Sequence, residues 1–313
     1  MNPKDLRIIF MGTPEFAVPS LEILLEHNFN VVAVITAPDK PKGRGRQLAA
    51  SPVKEAALVH KIPILQPANL KDPDFIEELK SYQADLQVVV AFRMLPEVVW
   101  DMPTIGTFNL HASLLPQYRG AAPINWAIIH GETETGVTTF MIRHEIDTGS
   151  IIFQEKEPIY PEDTAGTLYE RLMQKGAQLV LKTVEAIRRN EYTLIPQKIE
   201  GIALKSAPKI HKETCEIHWN QPAGKVRNFI RGLSPYPAAF TTLSTPQGDK
   251  NCKIFKTSLT GIRDENLHPG TIKTDNKNYI YLQTADELLS IDELQLEGKK
   301  RMPVQEFLKG NKL

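Results

Sequence analysis

Between residues 6 and 112 the chain repeats one pattern: a short, almost wholly apolar run, then a stretch with helical spacing. The runs are "LRIIFMG", "NVVAVITAP", "KIPILQP", "ADLQVVVAF" and "GTFNLHA". They lack the polar alternation of a half-exposed strand, so both faces of each must be covered. Between them lie "EFAVPSLEILLEH", "DPDFIEELKSYQ" and "MLPEVVWDM", read as helices. Thr13 and Pro14 read as the N-cap and first residue of the first helix, with Pro19 making that turn irregular. Strand and helix in alternation predict an α/β fold with a doubly wound, mostly parallel sheet. In such sheets ligands bind beyond the carboxyl ends of the strands.

The pattern continues with a helix at "APINWAIIHG", two strand-like runs flanking the tip "HEIDTG", and a long amphipathic helix from near Thr164 to "RRN". Its closing cations suit the negative end of the helix dipole. A stretch without periodicity, "EYTLIPQKIEGIALKSAPKI", reads as a linker. Beyond it comes one helix, "AGKVRNFIRGLS", and then short β runs broken by turn residues, which predict a small OB-like β-barrel. The expected division is a catalytic domain over 1–189, a linker over 190–207 and a C-terminal domain over 208–313.

Of the 313 residues, 42% are hydrophobic, enough for one large core and a smaller one. The formal net charge of +0 rules out a global field aimed at polyanions or membranes. The distribution is uneven, however. Residues 1–189 hold 19 Lys and Arg against 23 Asp and Glu, and residues 190–313 hold 18 against 14. A basic excess on the C-terminal module suits a nucleic-acid partner. Cys215 and Cys252 are the only cysteines and form no ligand cluster, so no metal site is expected. Two cysteines in so long a chain fit a reducing compartment. The opening "MNPKDLRIIFMG" does not read as a signal peptide, and no apolar run is long enough to span a bilayer. A cytoplasmic protein is expected.

In "FNLHASLLPQYRGAAP", Asn109 and His111 lie two apart at the end of a strand and so project to one side. An amide N–H donor beside a base that titrates near neutrality suits a reaction that builds an oxyanion and moves a proton, as acyl transfer does. Asp147, on the "HEIDTG" tip, is a candidate to hold the imidazole. Ser113, Leu114, Leu115 and Pro116 would wall the pocket, their backbone groups reading a flat heterocycle. Separately, "DKPKGRGRQL" gathers Lys40, Lys42, Arg44 and Arg46 around two glycines. A phosphate-rich partner would repay the ordering of such a loop.

Taken together, "LRIIFMGTPEFAVPSL", "PDKPKGRGRQLAASPVKEAA", "FNLHASLLPQYRGAAPINWAI", "ETGVTTFMI", "IDTG" and "GKVRNFIRGLSPYPAAF" resemble the formyltransferase family that uses 10-formyltetrahydrofolate, over essentially the whole chain. The resemblance implies catalytic roles for Asn109, His111 and Asp147, and a folate-binding loop at Ser113–Pro116. It implies formyl transfer, without a metal, to the α-amine of methionine esterified to initiator tRNA, by a monomer. It also implies tRNA contacts at Lys42 and Arg44. Lys209, at the entry to the C-terminal module, is expected to join Lys205 and Lys212 in a track for the tRNA backbone. An alternative acceptor is an amino-sugar nucleotide, for which the basic loop has no evident use. One departure is Arg93 in "AFRMLP", where relatives often carry Gly, in a stretch expected to border the pterin.

Overall fold

The structure is a computed structural model that describes residues 5–42, 47–201, 203–246 and 248–313. It divides into two compact units. The first comprises residues 1–119, 136–157 and 169–205, and the second 120–135, 158–168 and 206–313. The stretch read as a linker thus packs, as far as residue 205, with the first unit.

The strands of the first part are β1 (Arg7–Gly12), β2 (Asn30–Ile35), β3 (Lys40–Lys42), β4 (Gln47–Ala49), β5 (Ile64–Leu65), β6 (Leu86–Val90), β7 (Gly106–His111), β8 (Arg119–Gly120), β9 (Glu134–Met141) and β10 (Ile151–Pro158). Seven of them form one sheet in the order β10-β9-β7-β6-β1-β2-β5. The pairs β5–β2, β2–β1, β1–β6 and β6–β7 are parallel, and β7–β9 is antiparallel. The chain winds outward from β1 to β5, then returns to β6 on the other side of β1. This reversal puts the switch point between β1 and β6, as the doubly wound expectation requires. β6 is buried along its whole length, which explains why it is apolar but for Gln87, whose Oε1 accepts from the Thr107 hydroxyl at 3.0 Å.

Gly12 ends β1 at that switch point, opposite Val90. A Cβ there would lie 2.7 Å from the Ala17 Cβ and 3.1 Å from the Val90 carbonyl oxygen, so only glycine lets the chain turn so closely. The next turn differs from the sequence expectation. Pro14 is extended, a 3-10 turn covers Glu15–Ala17, and helix α1 (Val18–Glu26) begins only afterwards. Pro19 then sits in the first helical turn, where its missing N–H costs nothing.

Helices α2 (Pro52–Val59), α3 (Pro73–Ser81), α4 (Glu97–Trp100) and α5 (Pro123–Ile129) follow in chain order, then the long α6 (Ala165–Arg189). Ser51 and Asp72 cap α2 and α3 through their side-chain oxygens. Along α6, Leu172, Met173, Val180, Val184 and Ile187 are buried at helical spacing. Gly176 lies on the same helix, and a Cβ on it would meet Leu110 of β7 at 2.7 Å. This glycine lets α6 press directly on the strand that carries Asn109 and His111.

The second unit carries strands β11 (Ser206–Ala207), β12 (Ala239–Thr245), β13 (Gly248–Leu259), β14 (Ile272–Thr274), β15 (Ile280–Gln283), β16 (Leu288–Leu296) and β17 (Met302–Pro303), and helices α7 (Ala223–Leu233) and α8 (Val304–Leu308). Six strands form an antiparallel sheet in the order β12-β13-β16-β15-β14, with β17 on β16. It wraps a core that includes Val226, Ile230, Ile254, Ile291 and Phe307, in the OB-like manner expected.

Candidate active site

Asn109 and His111 occupy the last three residues of β7, paired with Val89 of β6 on one side and Phe140 and Thr138 of β9 on the other. The pleat sends both side chains to one face of the sheet. The Asn109 carboxamide is partly exposed and makes no hydrogen bond among the described residues, so its N–H donors are free for a ligand.

His111 is buried, its side chain only 7% exposed. Its Nε2 lies 2.8 Å from the carbonyl oxygen of Tyr118. A carbonyl can only accept, so Nε2 carries the proton and donates it. In the neutral ring Nδ1 is then the basic nitrogen. It faces Oδ2 of Asp147 at 3.8 Å. That gap exceeds a hydrogen bond. The Asp147 side chain is 13% exposed, so little water screens the pair. The Tyr118 carbonyl thus fixes the ring beside the Asp147 carboxylate that the sequence points to.

Both partners of the imidazole have left-handed backbones, with φ of 59° at Tyr118 and 54° at Asp147. Such conformations cost non-glycine residues about 1–3 kcal/mol and gather where function needs an unusual chain path. Two residues beyond Asp147, a Cβ on Gly149 would lie 1.6 Å from the Met141 carbonyl oxygen. The connection between β9 and β10 can therefore close only with glycine at that point.

The predicted folate loop follows β7 directly. The Ser113 hydroxyl donates to the Gln117 carbonyl at 2.6 Å. Thr138 Oγ1 donates to the Ser113 carbonyl at 2.6 Å and accepts from the Leu115 N–H at 3.2 Å. Gln154 Nε2 donates to the Leu115 carbonyl at 2.9 Å. Leu115 packs with Phe140 and Ile151 in a small buried cluster. Ser113 and Leu115 thus hold the loop in place, while Leu114 and Pro116 keep partly exposed surface. Thr138, Gln154 and the Tyr118 carbonyl escaped the sequence reading, because each acts through a contact with a segment distant in the chain or through the backbone.

Arg93 stacks over Phe92 and donates to the carbonyl oxygens of Pro67 and Ala68. It lines a cavity of about 1080 Å³ together with Leu70, Met94 and Met102, whose wall includes none of Asn109, His111 and Asp147. Lys42 ends β3, and Arg44 lies outside the described residues. Lys209 belongs to the second unit, where it lines a cavity of about 870 Å³ with His211, Lys212, Tyr236 and Lys253. Among the described residues no three His, Cys, Asp or Glu side chains gather as a metal site, and no helix is long and apolar enough to cross a membrane.

The chain is 54% identical to the methionyl-tRNA formyltransferase of Bacteroides fragilis, over 99% of this chain and 96% of that protein. It is 49% identical to the protein of the same name from Flavobacterium johnsoniae, over 98% and 96%. Among solved structures it resembles the N-formyltransferase of Helicobacter canadensis in complex with folinic acid and dTDP-3-aminofucose. The TM-score is 0.68 at 24% identity, over 95% of this chain and all of that one, a likeness of fold. The formyl transferase family matches residues 6–184 and its C-terminal domain residues 209–312. By the match over residues 6–184 and the identity to these near-full-length relatives, the chain belongs to the formyl transferase family and is a formyltransferase enzyme.

Proposed function

We propose that this enzyme transfers the formyl group of 10-formyltetrahydrofolate to the α-amine of methionyl initiator tRNA, acting as a cytoplasmic monomer. The observation that carries the chemistry is the His111 ring, with Nε2–H held by Tyr118 and Nδ1 turned toward Asp147. The acceptor comes from the near-full-length identity to the Bacteroides relative.

Asn109 donates to the formyl oxygen as that oxygen gains charge during attack by the amine. Such donors act most strongly where the charge develops. His111 takes the amine proton at Nδ1, since Nε2 is already protonated. The resulting imidazolium faces Asp147, whose charge stabilises it in a poorly hydrated setting. The proton then passes to the departing folate nitrogen. Leu114 and Pro116 offer a wall for the pterin, and Ser113 and Leu115 hold that wall.

Lys42, Arg44 and Lys209 are proposed to contact the tRNA. Lys209, Lys212 and Lys253 make no ion pair among the described residues, and Tyr236 beside them is 82% exposed. Unpaired cations next to an open aromatic ring suit a nucleic-acid backbone and its bases.

The test is a side-by-side assay of purified protein and 10-formyltetrahydrofolate with charged initiator tRNA or with a dTDP-amino-sugar. Formylmethionyl-tRNA is the expected product. Turnover of the sugar nucleotide alone would overturn the reading. K42A/R44A and K209A should each raise KM for tRNA and flatten its salt dependence. Unchanged salt dependence would remove those residues from the contact.

A further inference from the structure

We propose that Gln197, in the stretch after α6, is a positioning residue that sets Asp147 against His111. The proposal rests on the catalytic reading of Asp147 given above. Gln197 Nε2 donates to the backbone carbonyls of both Asp147 and Gly149, each at 2.8 Å. Its Oε1 accepts from Arg119 Nε at 3.1 Å and Nη2 at 2.6 Å. Arginine can only donate, so the oxygen must face it, and the NH2 group is fixed on the loop. One side chain therefore ties the two carbonyls that flank Thr148.

Residues 143–146 are exposed. There His144 pairs with Glu97 at 3.2 Å and meets the Trp100 ring edge-on, and Thr148 Oγ1 donates to the Glu145 carbonyl at 3.0 Å. Asp147 keeps a left-handed backbone that a free loop would relax. Gln197 is itself held. Ile195 exchanges both backbone hydrogen bonds with Ile151, at 2.8 and 2.9 Å, just past the catalytic loop.

The same stretch also ties down the other side of the imidazole. Arg119 is the neighbour of Tyr118, whose carbonyl holds Nε2. The Tyr118 N–H donates to the Lys205 carbonyl at 2.7 Å, and Gln117 exchanges hydrogen bonds with Ala203 and Lys205. Ile195, Gln197, Ala203 and Lys205 thus act together as a strap. It fastens the loop bearing Tyr118 and the loop bearing Asp147 to each other, and so sets the separation between the groups on the two nitrogens of His111.

A half-buried amide engaged at both ends cannot be replaced freely under this assignment. Gln197→Ala removes both donors, and Gln197→Glu turns an acceptor toward two carbonyl oxygens. Steady-state formylation of methionyl initiator tRNA should show kcat reduced about 10- to 100-fold in both, the scale of a misplaced catalytic group. KM for each substrate should stay within about twofold, since both ends of the Gln197 amide are taken by protein groups. Asp147→Asn is measured alongside, alone and combined with Gln197→Ala. The double variant should be no slower than Asp147→Asn alone, because the Gln197 amide holds the Asp147 loop while Tyr118 is held by the Lys205 carbonyl. Hydrogen exchange of the amides of 145–150 should quicken in Gln197→Ala.

A Gln197→Ala enzyme with kcat within twofold of the parent, beside an inactive Asp147→Asn, overturns the positioning role and leaves the catalytic reading standing. Full activity of Asp147→Asn overturns the catalytic reading itself. Multiplying losses in the double variant, or a change confined to KM, also refutes the strap. Should Gln197→Ala fail to fold, Gln197→Glu carries the same measurements.

Discussion

His111 gives its Nε2 proton to the carbonyl oxygen of Tyr118 at 2.8 Å, seven residues along the chain. That one bond decides which ring nitrogen is left basic. With Nε2 committed as donor, only Nδ1 can receive a proton, and Nδ1 is the atom that faces Asp147. A backbone acceptor suits this task, because no side-chain change at position 118 can take it away.

Replacing His111 by Asn keeps a polar group of similar reach but removes the base. We expect kcat to fall at least about 100-fold, within the usual span for a lost general base. Binding of the charged tRNA, measured by filter retention, should be unaffected. Turnover equal to the parent would refute the role.

For Asn109→Ala, kcat should drop about 100- to 1000-fold, the loss seen when one oxyanion donor is removed. Asn109→Asp has nearly the same shape and offers no N–H, so it should be no better than Ala. If Asp restores activity, the side chain serves by shape and not as a donor.

Thr138 reaches the folate loop from β9 through two hydrogen bonds, to Ser113 and Leu115. Thr138→Val keeps the volume and strands both partners in a buried site. Stability should fall by about 1–3 kcal/mol in urea titrations. KM for the folate should rise while KM for tRNA stays constant. A parallel rise in both would place the defect elsewhere.

Glu157, buried on β10, contacts two cations of α6: Arg171 Nε at 2.8 Å and Lys175 Nζ at 3.0 Å. Burial pushes its carboxyl upward, but hydrogen bonds from Arg171 and Lys175 outweigh that, and the net shift is downward. A depressed folded-state pKa stabilises the protein above the ordinary carboxylate range, and the benefit is lost as pH falls through the folded value. Glu157→Gln should therefore cost about 1–2 kcal/mol at pH 7 and nothing once the parent's carboxyl is protonated. Urea melts of both proteins from pH 7 into the acid range give the comparison. A gap that persists unchanged into acid would mean the loss is not electrostatic.

Much of this was readable before any coordinates. Apolar runs without alternation around β1, β2, β6 and β7 demanded a sheet covered on both faces, and Asn109 and His111, two apart at a strand end, had to share a side. Asp147 was marked by the turn-forming residues after it. The readable features are local: strand and helix periods are set within a few residues, and side-chain direction along a strand follows from the pleat alone. Pairings such as Thr138 with Ser113, Gln197 with Asp147 and Arg119 with Gln197 join residues between 25 and 78 positions apart. Nothing in the neighbourhood of Gln197 marks it, since its stretch has no periodicity and its partners are backbone carbonyls.

Sequence alone determined the sheet and the chemical types at its carboxyl edge, because burial and pleat act on neighbouring residues. Tertiary structure alone decided which nitrogen of His111 is basic, which residues hold the loop at 113–116, that residues 120–135 and 158–168 pack with the second unit, and that Gln197 meets the carbonyls of Asp147 and Gly149. Those outcomes depend on which distant carbonyls meet which donors, and only the closed fold brings them within hydrogen-bond reach.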